Sequence, residues 1–137
     1  MTSFALAFAL LIKPQHLPEF PDSVFKVPVY PGAIRVPGSS QRLGVEKPYG
    51  WAKSFQRTPQ GWGRAYDTKD GVQKVKAFLL KEGGKIGKTV NHKSGNSATS
   101  FMLEFRIKKD AIMARGDDLG SGKGTRYEIY YLLAPGK

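Results

Sequence analysis

The chain has no cysteine. That excludes a disulfide framework, thiolate metal sites and a cysteine nucleophile, and it does not choose between cytoplasm and envelope. Histidine is nearly as scarce. His16 and His92 stand alone with no ligand spacing around either, so neither a metal site nor imidazole chemistry has a constellation to rest on. Acid is short too, with 11 Asp and Glu against 22 Lys and Arg, a formal charge of +11. Long apolar runs are missing. Residues 4–12, FALAFALLI, end at Lys13-Pro14, well short of the roughly 20 residues that cross a bilayer as a helix. No basic residue precedes this run and no small-x-small site follows it closely, which disfavours a secretory signal and favours an apolar segment held against a partner. No internal repeat or heptad is present.

What is there fits one ordinary domain: 137 residues bury a core without needing a metal or a disulfide. The charge is uneven. Residues 35–64 carry Arg35, Arg42, Lys47, Lys53, Arg57 and Arg64 against Glu46 alone. A field of this sign attracts phosphate backbones, anionic lipid or an acidic protein surface.

One stretch decides the fold. Val72, Val75, Phe78 and Leu79 recur at helical spacing, with Lys74, Lys76 and Lys81 largely off the stripe. Asp70 reads as the N-cap, Gln73 as the other half of a weak capping box, and Gly83-Gly84 as the stop. Residues 51–57 and 61–67 flank Thr58-Pro59-Gln60-Gly61, which predicts a hairpin. Phe101, Leu103, Phe105 and Ile107 alternate with polar or longer residues as a half-buried strand. Lys108-Lys109-Asp110 turns that strand into 111–115, and a glycine-rich loop leads to 125–133, where Tyr127, Ile129, Tyr131 and Leu133 share a face. The expected class is α+β: an antiparallel sheet of about four to six strands with one main helix packed on it, preceded by a Pro-rich extended arm. The expected boundaries are an arm at 1–23 and a domain at 24–137.

Val27-Pro28-Val29-Tyr30-Pro31-Gly32-Ala33, followed later by Tyr66-Asp67-Thr68-Lys69-Asp70 and the helix, resembles small, mostly uncharacterised bacterial proteins with a YPGA motif. In those, a strand ending in a T-x-D cap leads into an amphipathic helix and then into antiparallel strands. The resemblance implies an α+β domain and, often, an envelope location, and carries no catalytic residues.

Gly120-Ser121-Gly122-Lys123-Gly124-Thr125 imitates half of a phosphate-binding loop, but the position five before Gly122 is Asp117 where glycine is required, and a strand pattern follows where a helix should open. Asp67 with Asp70, and Asp117 with Asp118, are explained by capping and solvation. No serine sits in a nucleophile elbow. No catalytic residue, cofactor, metal or small-molecule substrate is therefore expected. Two binding features remain. Arg42, Lys47, Trp51, Lys53, Arg57, Trp62 and Arg64 interleave aromatic and basic side chains and form the candidate binding surface. Phe4, Phe8, Leu11, Ile12 and Phe20 form the candidate docking arm. Together they predict a non-enzymatic accessory or interaction subunit on a larger, negatively charged or membrane-associated protein assembly. The alternative is a nucleic-acid-binding module that uses residues 42–66.

Overall fold

The computed structural model describes residues 20–43 and 60–133. A single 3-10 turn at Asp22–Phe25 is followed by the short strands β1 (Ile34–Arg35) and β2 (Gln41–Leu43), then β3 (Gly61–Thr68) and helix α1 (Val72–Ile86). The chain continues through β4 (Lys88–Val90), β5 (Ser100–Ile107), β6 (Asp110–Asp118) and β7 (Thr125–Leu132). The architecture is α+β, with seven strands in one antiparallel sheet ordered β1-β3-β7-β6-β5-β4, and β2 also pairing with β3. The sheet has one strand more than the expected upper figure, because it includes the short strands β1 and β2, which are too brief to show a period of their own.

Side chains alternate across the pleat, so pairing fixes two faces. Tyr127, Ile129 and Tyr131 of β7, Ile112 and Ala114 of β6, and Phe101, Leu103 and Phe105 of β5 all belong to the main core with Val72, Val75 and Leu79 of α1. The opposite face holds a smaller buried cluster of Met113, Tyr130 and Leu132. The period-two pattern of β5 and β7 thus reports the helix-covered face correctly. Of the helical stripe, Val75 and Leu79 are fully buried, whereas Phe78 is half-buried and meets the edge of Tyr30 at 5.2 Å between centroids.

The expected helix ends differ from those observed. The N-cap is Gly71, with no side-chain cap bond. Asp70 turns its carboxylate the other way and accepts from the Tyr30 hydroxyl, a tertiary bond that wins over local capping. At the other end Gly83 and Gly84 lie inside α1, which stops at Gly87, whose N–H bonds the Gly83 carbonyl at 3.0 Å. Gly83 is a packing glycine: a Cβ there would sit 2.4 Å from the Phe105 ring. In Tyr30-Pro31-Gly32-Ala33 the Ala33 N–H closes a turn on the Tyr30 carbonyl at 2.9 Å, and Gly32 takes φ 83°, the left-handed geometry a side chain disfavours. The two motifs behind the resemblance therefore meet, through the bond from Tyr30 to Asp70.

Phe20 is buried in the main core, so the packed unit reaches back at least to Phe20, and this ring is core rather than a docking residue. Phe4, Phe8, Leu11 and Ile12 lie outside the described residues, as do Lys47, Trp51, Lys53, Arg57 and the expected strand at 51–57.

Candidate cationic docking surface

Only three members of the expected basic and aromatic surface fall within the described residues, and they do not form one surface. Arg42 is exposed on β2, and its cross-strand partner Trp62 is half-buried, tilted against Tyr131 at 6.3 Å. Arg64 is a correction, since it is 1% exposed and serves the interior. Its guanidinium donates to Asp22 Oδ1 at 2.7 Å, to the Phe20 carbonyl at 2.6 Å and to Ser40 Oγ at 2.8 Å, and lies 4.3 Å from the Phe20 ring centroid. Charge and aromatic interleaving reads the same in sequence whether the cation faces water or a carboxylate. The signal that separates them is Asp22, 42 residues away.

Asp22 also accepts from the Tyr66 hydroxyl and, at 3.2 Å, from Arg35 Nε. Partial burial opposes its ionisation, but these donors together hold its pKa below the ordinary 3.8. Tyr66 in turn is pushed well above its ordinary value by burial and by the Asp22 carboxylate. This network stitches the 20–36 segment to β3, and nothing in it offers a reacting atom.

Three other tyrosines titrate late. Tyr30 rises to about 12 through its bond to Asp70, Tyr127 to about 12 through burial, and Tyr131 to about 12 through burial and its bond to Asp110. A group raised on folding stabilises the fold fully below its unfolded pKa and loses that contribution as pH climbs through the folded one. The melting temperature should therefore hold up to about pH 10 and fall towards about pH 12, with phenolate absorbance appearing together with unfolding. Phenolates that titrate near 10 in a protein of unchanged circular dichroism would contradict the assignment.

The remaining sequence candidates stay apart. Asp67 forms a fork with Arg126 at 2.7 and 2.8 Å, and Asp70 faces Tyr30. Asp118 accepts from the Gly120 N–H at 2.8 Å, while Asp117 is 3.9 Å from Arg115. His92 Nε2 lies 3.0 Å from Glu104 Oε1. Among the described residues no group of three potential metal ligands converges. The glycine loop after β6 opens β7, as the pattern predicts, yet Gly122 and Gly124 also line an open cleft of about 430 Å³ with Lys69, Gly71 and Lys74 at the start of α1. The topology supplies that proximity, and sequence spacing does not show it.

The structure does assemble a basic surface elsewhere. Lys74, Lys81 and Lys85 are exposed along the outer side of α1, opposite the buried Val75 and Leu79. Lys85 sits in the last turn, where the helix dipole favours a cation. At that end of the domain Lys88 and Arg106 are direct cross-strand partners, and Lys108 and Lys109 form the turn between β5 and β6. Gly87 presses against Arg106 and Ile107, which joins the helix end to the hairpin end. Lys85, Lys88, Arg106, Lys108 and Lys109 are all exposed. The nearby carboxylates are already engaged: Glu82 by Lys85 at 3.1 Å, Glu104 by Arg106 at 2.6 Å, and Asp110 by the Tyr131 hydroxyl at 2.9 Å. Comparison with protein families, curated proteins and solved structures returns no match.

Proposed function

We propose that this chain is a non-enzymatic accessory subunit that docks on a larger, negatively charged protein assembly, and that α1 presents the contact. One observation carries the reading. The helix buries its apolar side against the sheet and holds Lys74, Lys81 and Lys85 to solvent on its outer side. A fixed field of one sign speeds encounter with an acidic surface and rejects a basic one. A membrane-associated assembly suits the same charge.

Nucleic acid is the weaker partner on this surface. Among the described residues no aromatic ring is exposed, so the base-stacking platform that single strands use is not offered there.

The test is the double charge reversal Lys74→Glu/Lys81→Glu. Both sites are exposed, so the melting temperature should shift little, whereas copurification with an acidic assembly from the native source should be lost. The wild-type association should weaken as salt shortens the screening length to below about 10 Å. Undiminished copurification of the variant would remove the helix from the contact.

A further inference from the structure

Two lysines at the β4 end of the domain stand where local rules disfavour them, and a third stands beside them. Lys88 faces Arg106 directly across the β4–β5 ladder, a like-charge pair where an opposite charge would stabilise the sheet. Lys108 opens a two-residue turn with φ 55°, a left-handed position that glycine or asparagine fills at lower cost. Lys109 adds a third, exposed cation beside it. Local rules broken together at one spot mark a place where something other than stability is being served.

The same end is an open edge. β4 is the last strand on its side of the sheet, and among the described residues no strand lies beyond it. Further along β5, where β4 has ended, the Asn96 side chain satisfies Met102 instead, accepting from its N–H and donating to its carbonyl, each at 3.2 Å. That part of the β5 edge is closed, and β4 is left open. Ile86, 38% exposed, stands between Lys85 and Lys88 as an apolar contact.

Resting on the docking reading above, we propose that the partner contributes an extended acidic peptide segment, which adds along the β4 edge and sets its carboxylates against Lys85, Lys88, Arg106, Lys108 and Lys109. Strand addition supplies main-chain bonds, and the cations supply selection. A lysine-bearing edge repels a second copy of itself and accepts an acidic strand, so the same residues prevent self-pairing and specify the partner. A strand edge reads a peptide backbone, which a nucleic acid lacks, and Arg106 already holds one carboxylate, that of Glu104.

The experiment measures binding of a labelled oligo-glutamate peptide, and of a labelled single-stranded DNA of equal charge, to the full chain and to Lys88→Thr/Lys108→Gly. The double variant removes a like-charge pair and a strained φ, so its melting temperature should equal or exceed that of the wild type. Its affinity for oligo-glutamate should nevertheless fall about tenfold. Amide exchange at residues 88–90 should slow when the peptide binds. The proposal is overturned if the wild type does not bind the peptide, if the double variant binds it unchanged, or if residues 88–90 keep their exchange rates. DNA bound as tightly as the peptide, and weakened equally, would replace a peptide with a polyphosphate. If the Lys74→Glu/Lys81→Glu chain loses its assembly while peptide binding ignores Lys88 and Lys108, the docking reading stands and this one falls.

Discussion

Asp22→Ala should remove about 3–5 kcal/mol of folding stability in denaturant melts, far more than its half-exposed position suggests. The reason lies in its partners. Arg64 is wholly buried at its side chain, so deleting Asp22 takes a short charge-assisted bond away from an interior cation. The Tyr66 hydroxyl, also buried, loses its acceptor in the same step, and an orphaned buried donor costs about 1–3 kcal/mol on its own. The Phe20 carbonyl, Ser40 Oγ and the Phe20 ring still hold Arg64, which keeps the loss within the range for breaking one buried pair. Asp67→Ala is the control. Its fork to Arg126 has equally short bonds and Asp67 is as half-exposed as Asp22, but Arg126 faces solvent where Arg64 is buried, so its removal should cost less than about 1 kcal/mol. The sign with pH follows from the lowered pKa of Asp22. Its contribution is present above the ordinary 3.8 and is lost as pH falls through the folded value, so the two proteins should converge in stability on acidification. Equal losses for Asp22→Ala and Asp67→Ala would show that Arg64 does not depend on Asp22.

This network also explains which parts of the molecule were legible in the sequence. Periodicity identified α1, β5 and β7 because their partners lie on one covered face, and a repeating burial pattern is written along the chain itself. Arg64 was misread as surface because its burial depends on Asp22 and Phe20, which reach it from another part of the chain. Asp70 was misread as a cap for the same reason, since Tyr30 claims its carboxylate from 40 residues away. The cationic end was not legible either. Lys88, Arg106 and Lys108 belong to two strands and a turn, and only the pairing of Lys88 with Arg106 brings them together. Of the basic and aromatic stretch, Arg42 keeps the exposure that the sequence implied, and Trp62 keeps half of it.

Phe105→Ala should cost about 3–5 kcal/mol, the range for deleting a large ring from a closed core, because Phe105 is 1% exposed beneath α1 and its neighbours are held by the sheet. The two glycines of α1 should then respond with opposite signs. Gly84 has only Thr89 Oγ1 within reach of an added methyl, at 3.8 Å, and faces solvent. Gly84→Ala should therefore stabilise the helix by about 0.5–1 kcal/mol, through the lower backbone entropy of the unfolded chain. Gly83→Ala gains the same propensity, but its Cβ would stand 2.4 Å from two atoms of the Phe105 ring. Because that ring is 1% exposed and packed in the core, overpacking of about 1–3 kcal/mol should outweigh the gain and destabilise the variant. A double-mutant cycle separates the two effects: in a Phe105→Leu background the clash is relieved, and Gly83→Ala should change from destabilising to neutral or stabilising. Stabilisation by Gly83→Ala in the native background would mean that α1 does not press on Phe105 as the contact requires.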